Sequence, residues 1–391
     1  MSLTLPSPNP SSDPPIQLSV YPSSYPPGDL ERDRWILDQR PPRETLDPQK
    51  PHAFFVEDEA AASNEGGAPA KVVPTTTIFL TNRECPWRCV MCDLWRSTLT
   101  TSVPPGAISA QIDFALSQLS ASGVLKLGVP PAVIAGGDFA QQHAQTDPIL
   151  NSPSWISQPP VSRVLKLYNS GSFFDARAIS VEDHQAIADR ANNFDRLIVE
   201  NHPAFVDDKI LRFRGRLRCR LEIAMGLETV HPDILPRLNK RMTLEQFASA
   251  ATFLRANDID LRVFILVQPP FMKPSESLHW AERSLDFAFD CGATVATLIP
   301  TRGGNGAMET LAASGEFSPP SIETLEVAVT YGLSLKRGRV FADLWDAEKM
   351  SGCQACFAAR ISRLRAVNLS QVDQASHHCL ICSGTNSQPN A

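Results

Sequence analysis

The chain has 391 residues, 43% of them hydrophobic and 20% charged, and a net charge of -6. That length fits one large core with appendages, and the acidic balance excludes a general electrostatic attraction for nucleic acid, leaving only local basic patches. No apolar run approaches the roughly 18 residues of a membrane span, and the amino terminus MSLTLPSPNPSSDPP has no basic region followed by an apolar stretch, so a cytoplasmic protein is expected. Nine cysteines without a secretory signal read as reduced thiols, metal ligands or nucleophiles rather than as a disulfide framework.

Residues 1–70 are rich in Pro, Ser, Asp and Gly, with short apolar islands at Trp35-Ile36-Leu37 and Phe54-Phe55-Val56. Such a segment cannot bury enough surface to offset its ordering, and a largely disordered tail with one docked segment is expected. At Val72 the character changes: VVPTTTIFLT reads as a buried strand and runs into CPWRCVMC at 85–92. AISAQIDFALSQLSA then spaces Ile108, Ile112, Leu116 and Leu119 along one helix face. Residues 123–162 form an irregular insertion with a short strand, AVIA, inside it. Beyond it RVLKLY, RLIVE, RLEIAMG, LRVFILV and TVATLIP are apolar runs of strand length, and helical stretches lie between them. Alternation at this spacing means repeated β-α units and a parallel sheet. With the strand at 73–81 the count is six, which predicts a partial (β/α)6 barrel over residues 71–310. After it come a helix near SIETLEVAVTYGLSL, a short strand RVFADLW and a second set of cysteines, read together as a small appendage over 311–391.

Cys85, Cys89 and Cys92 have CxxxCxxC spacing just past the first of these strands. Three thiolates so spaced can bind three irons of a 4Fe-4S cubane and leave the fourth iron open to an exogenous ligand. The alternatives are a zinc half-site, which lacks a second ligand pair at finger-like spacing here, and a redox CxxC, which needs only two thiols. The carboxyl end of a parallel strand is a ligand site by geometry, which favours the open cluster. Cys353, Cys356, Cys379 and Cys382 form two CxxC pairs that suit either a tetrahedral zinc or an auxiliary iron-sulfur cluster. His377 and His378 read as surface residues there, and Cys219 and Cys291 as inert core thiols. RFRGRLRCR would put Arg212, Arg214, Arg216, Arg218 and Arg220 on one face if extended, as a solvated edge or as a phosphate patch. TRGGNG at 301–306 ends the sixth strand; Arg302 there could hold an anion, or the glycines could mark a plain connecting turn.

Cys85-Pro-Trp-Arg-Cys89-Val-Met-Cys92 after the first strand of such a pattern resembles the signature of the radical S-adenosylmethionine (radical SAM) superfamily, over roughly residues 72–305. The resemblance implies a 4Fe-4S cluster whose open iron is chelated by S-adenosylmethionine, reductive cleavage to a 5′-deoxyadenosyl radical, and an electron donor such as a flavodoxin or ferredoxin. Met91 stands where the family usually has an aromatic residue near the adenine. Asn169, Ser170, Gly171 and Ser172 of NSGSFFD occupy the place of the family's Gly-Gly-Glu loop, with GGD at 136–138 as the second choice. Glu200 of Glu-Asn-His-Pro resembles the Glu-x-x-Pro motif of the elongator-like and coproporphyrinogen-oxidase-like branches. Glu222, on the strand of LEIAMGLET, resembles the polar residue that faces the cofactor ribose or methionyl group. For both glutamates a structural salt bridge to an arginine in the barrel is the alternative. NSGSFFD, VENHP and GLET together most resemble the radical SAM subunit of archaeosine biosynthesis, which implies modification of a nucleobase in transfer RNA and tRNA as a partner. A radical SAM enzyme acting on a small metabolite or peptide, and a non-catalytic metal-binding protein, are the rival readings. No residue acting on the substrate is identified.

Overall fold

The β-branched run at Val72 is a strand of one curled sheet in the computed structural model, which describes residues 24–61, 70–124, 162–377 and 379–383. Eight strands lie side by side in chain order: β1 (Ala53–Ala60), β2 (Val72–Phe79), β3 (Val164–Tyr168), β4 (Arg196–Glu200), β5 (Arg220–Glu228), β6 (Asp260–Val267), β7 (Val295–Pro300) and β8 (Arg339–Ala342). β1 runs antiparallel to β2, and all later neighbours are parallel. The described helices are α1 (Asp29–Asp38), α2 (Ala107–Ala121), α3 (His184–Ala191), α4 (Asp208–Arg214), α5 (Ile234–Arg237), α6 (Leu244–Ala256), α7 (Ser277–Asp290), α8 (Ala307–Ala313), α9 (Ile322–Ser334), α10 (Phe357–Ser370) and α11 (Leu380–Ser383). None of them is long and apolar enough to cross a membrane.

The outer layer follows from the helix patterns. α2 buries Ile108, Ile112, Leu116 and Leu119, the predicted face, and α6 begins at a Thr243/Gln246 capping box and buries Phe247, Ala250, Ala251 and Leu254. These side chains join the outward face of the sheet in one continuous core. Inside the curl is a smaller apolar cluster of Val73, Val164, Ile198 and Ala224, with Tyr168 and Phe264 packed on it. Around the amino ends of the strands the interior is ionic: Glu59 of β1 meets Arg262 of β6 and Lys166 of β3. Side chains from β1 reach β6 and β8 in this way, so the sheet is an open half-barrel rather than a plane.

The barrel has more strands than the six counted in the sequence. RVFADLW, placed in the appendage, supplies β8, which pairs parallel with β7. Part of the expected tail is also built in, as α1 and β1. In β1, which falls in the expected tail, Phe54 and Val56 pack on the outer core while Glu57 and Glu59 turn inward to buried cations. α1 buries Ile36 in a second cluster with Val90, Leu238, Met308 and Phe317, over the carboxyl ends of the strands. The insertion at 123–162, with AVIA and the GGD at 136–138, lies outside the described residues from 125 to 161.

The alternate-arginine face is not formed. Residues 208–214 are helical, because Asp207 caps the amino end by accepting from the Lys209 amide at 2.7 Å and Ile210 and Phe213 bury at helical spacing. Arg220 opens β5 and pairs with Asp258 and Asp260, at the end of the sheet opposite the three-cysteine loop.

Candidate functional site: a three-cysteine loop at the mouth of the half-barrel

β2 delivers the chain to Cys85, Cys89 and Cys92 at the carboxyl ends of the parallel strands. The loop is held from three sides. The Val90 amide donates to Leu238 O at 3.0 Å, and Asn239 Nδ2 donates to Arg88 O at 2.7 Å. Asn305 Nδ2 donates to Val90 O at 2.8 Å and to Cys92 O at 3.0 Å. Trp87 stacks on His202, with centroids 3.8 Å apart. Glu84, just before Cys85, gathers Arg40, Arg43 and Arg88, so the segment after α1 is tied to the base of the loop. Gly306 has a φ of +86° and a Cβ there would collide with Gln39 O, which explains a glycine at that close approach. Burial pushes the Cys85 and Cys89 thiols up to about 12 and Cys92 higher still, so a cation bound by them would have to displace their protons.

The loop after β3 packs directly on the first cysteine. A Cβ on Gly171 would sit 3.3 Å from the Cβ of Cys85. Ser170 adopts a left-handed φ of 53°, and the Asn169 and Ser170 amides donate to Glu200 Oε2 at 2.8 and 2.9 Å. Ser172 Oγ accepts from the His202 amide at 3.1 Å. Asn169 is fully buried, and its Oδ1 and Nδ2 have no hydrogen-bond partner. A buried, wholly unpaired amide is costly unless a ligand completes it, so this loop fits a polar group bound beside Cys85. Met91 is partly buried against the second core cluster.

Burial raises Glu200 to about 7, against the opposing pull of the backbone amides of residues 169, 170 and 171. Below the ordinary carboxyl range both folded and unfolded chains carry the proton; between there and about 7 only the folded chain does, so stability falls as pH rises through that window. The loss is about 3 kcal/mol when complete. Glu200→Gln is expected to flatten that slope, read as thermal unfolding midpoints of both proteins from pH 4 to 8.

Glu222 is placed differently from the expectation. It lies near the amino end of β5, wholly buried, with Arg262 at 2.6 Å, Arg196 at 3.0 Å and Arg339 at 3.7 Å, which is the salt-bridge alternative. The acidic residue of β5 that does reach the cysteine loop is Glu228, which the sequence reading passed over. A bulge between Gly226 and Glu228, with Glu228 at a φ of 67°, re-aims its carboxylate into an ion pair with buried Lys240. A Cβ on Gly226 would collide with both partners. Lys240 follows the Leu238-Asn239 segment that grips the loop and sits beside Cys89 and Cys85. Burial opposes its charge, but the Glu228 carboxylate beside it holds the ammonium above its ordinary pKa. A fixed cation beside three thiolates suits an anionic cluster. The available signal was GLET at the end of a strand, but its bulge is not written in the hydrophobic pattern.

Arg302 is occupied by Asp343 at 2.7 Å and by Trp345 O, and the 301–306 loop serves the site through Asn305. Far along the chain, the Sγ atoms of Cys353, Cys356, Cys379 and Cys382 all lie within 4.8 Å of one another. Among the described residues, His377 is exposed and Cys219 is buried; His378 lies outside them.

The parallel half-barrel carries its CxxxCxxC just past its first parallel strand, the placement implied by the resemblance of the sequence to the radical SAM superfamily. No protein-family profile matches the chain. It is 27% identical over 162 residues to an uncharacterised protein of Methanocaldococcus jannaschii, covering 40% of this chain and 44% of that one. It is 25% identical over 163 residues to archaeosine synthase subunit beta of Methanosarcina acetivorans, covering 40% and 47%. The matched stretch thus spans about half the length of these curated relatives. Among solved structures, archaeal Elp3 of Methanocaldococcus infernus aligns with a TM-score of 0.41 at 15% identity, covering 54% of this chain and 56% of that one. The coproporphyrinogen III oxidase of Escherichia coli, a radical SAM enzyme, aligns with a TM-score of 0.33 at 12% identity, covering 45% and 41%.

Proposed function

We propose that this chain is a radical SAM enzyme that holds a 4Fe-4S cluster on Cys85, Cys89 and Cys92. The observation that carries the reading is the position of those three half-buried thiols, on a loop gripped from several sides at the open mouth of a parallel half-barrel. A cluster held on Cys85, Cys89 and Cys92 would supply the electron for reductive cleavage of S-adenosylmethionine to methionine and a 5′-deoxyadenosyl radical. Lys240, kept charged by Glu228, offsets the negative charge of the thiolates. Asn169 offers its unpaired amide to a polar group of the cofactor, and Glu200 fixes the amides of the loop that presents it. Met91 and the second core cluster beneath α1 shield the cysteines from water.

The test is anaerobic reconstitution of the full chain, with iron and sulfide counted and 5′-deoxyadenosine measured after adding dithionite and S-adenosylmethionine. About four irons and product formation are expected; a chain that takes up only zinc and makes no product would return the reading to a binding protein.

For the substrate, the likeness to archaeosine synthase subunit beta favours a nucleobase of tRNA over a small metabolite or peptide. An acidic chain whose arginine run lies away from the mouth has few phosphate contacts of its own to offer. The relatives are named as one subunit of a synthase, and a basic partner subunit would supply those contacts here. The isolated chain is therefore expected to bind a tRNA transcript weakly, with a shallow dependence on salt; tight binding with a steep salt slope would place the phosphate contacts on this chain. A cytoplasmic setting with a flavodoxin or ferredoxin as electron donor completes the proposal.

A further inference from the structure

We propose that Cys353, Cys356, Cys379 and Cys382 form a closed tetrathiolate zinc site whose task is to pin α10 across the open edge of the sheet. The proposal stands independently of the function argued above. The spacing of the sulfurs selects the metal. All four Sγ atoms lie within 4.8 Å of one another, and Cys356 Sγ is 3.8 Å from Cys382 Sγ. Four thiolates set tetrahedrally about one zinc at about 2.3 Å are separated by about 3.8 Å. A 4Fe-4S cubane binds each thiolate to a different iron and needs them farther apart. Four protein ligands also leave no open position for substrate, which marks a structural site.

The surroundings suit the charge of such a centre. Arg360, one turn into α10, donates from Nε to Cys356 Sγ at 3.2 Å and from a terminal nitrogen to Cys382 Sγ at 3.8 Å. The same guanidinium is anchored on Glu326 and Glu323 of α9. A cation bonded to two of the sulfurs offsets the excess negative charge of zinc with four thiolates and orients the ligands.

What the site holds in place is visible at the other end of α10. β8 is the last strand, and its outer edge would leave backbone groups unpaired. Asn368 closes part of that edge: its Oδ1 accepts from the Ala342 amide and its Nδ2 donates to Ala342 O, both at 2.8 Å. Gln371 does the same for Val340, at 2.7 and 3.0 Å. The amide of Ala70, on the approach to β2, donates to Ser370 O at 3.3 Å, and α10 packs on both β1 and β8. α10 therefore bridges the two margins of the half-barrel. It buries only Ile361, Leu364 and Val367 of its own, a small apolar anchor for that duty. Metal ligands before and after the helix tie down both of its flanks.

The experiment uses the full chain, with zinc, iron and labile sulfide counted per chain and hydrogen exchange followed at the Val340 and Ala342 amides. One zinc per chain is expected in the wild type and in Cys89→Ala. Stripping it with a chelator is expected to speed exchange at both amides at least tenfold, and re-addition of zinc to restore protection. Arg360→Met is expected to weaken zinc binding about 10- to 100-fold, with Arg360→Lys recovering part of the loss. Four irons and sulfide that survive Cys89→Ala but vanish in Cys356→Ser would overturn the zinc assignment. Unchanged exchange at Val340 and Ala342 after zinc removal would overturn the clamp. The chelator arm reads the same quantity without substitution, so misfolding of the Cys356→Ser chain leaves the proposal open to refutation.

Discussion

Cys89→Ala is expected to abolish 5′-deoxyadenosine formation and to reduce cluster iron from about four per chain to a trace, while leaving the fold in place. The asymmetry follows from how the loop is held. The contacts that shape residues 85–92 are made by the backbone of Arg88, Val90 and Cys92 and by the ring of Trp87, not by the Cys89 sulfur. Removing one half-buried thiol deletes a ligand and leaves Leu238, Asn239, Asn305 and His202 gripping the loop as before. A cubane with two protein ligands is open at two irons and is lost to solvent or to added thiol. Unfolding midpoints within about 0.5 kcal/mol of wild type are expected for a cluster-free pair, since a small void replaces one sulfur in a loop that is only half-buried. Zinc content is also expected to be unchanged. Product formation that survives in Cys89→Ala would show that some other group binds the cofactor, and the cluster assignment would fall.

The parts legible in the sequence are those that physics writes locally. Strands β2 to β7 are largely apolar runs because the sheet buries its outer face under helices and its inner face inside the curl, and the cysteine spacing is a covalent fact of the chain. The missed parts depend on long-range pairing. Glu57 and Glu59 make β1 look solvated until Lys166 and Arg262, more than a hundred residues away, are found facing them. α4 was hidden by its arginines, although the Asp207 cap and the Ile210-Phe213 spacing were there to be read. Glu228 and Lys240 meet only because a bulge at Gly226 turns one strand residue toward a loop that follows α5. The expectation for Glu222 came from resemblance, and the register of β5 moves it to the other end of the strand.

That register makes Glu222→Gln the sharpest test of the barrel's construction. Glu222 and Glu59 sit among Lys166, Arg196, Arg262 and Arg339, at the end of the barrel away from the cysteines. Burial would push Glu59 up, but Arg262 and Lys166 beside it win and hold it far below the usual carboxyl range. Arg262, fully buried, is held well above its ordinary value by the two glutamates despite its desolvation. Neutralising Glu222 leaves three guanidinium groups sharing one fewer counter-charge inside the barrel. The expected cost is about 3–5 kcal/mol, read as a lower denaturant midpoint at unchanged slope. Glu222→Met combined with Arg262→Met removes a matched pair and is expected to recover much of that loss, because apolar side chains of similar volume need no partner. Where the Glu222→Gln chain remains folded, its iron content and its rate of 5′-deoxyadenosine formation per loaded cluster are expected to match wild type. A stable Glu222→Gln protein that had lost cofactor cleavage would mean that the ionic end of the barrel reaches the cofactor after all. The division between a charged, load-carrying end and a cysteine-bearing mouth would then have to be abandoned.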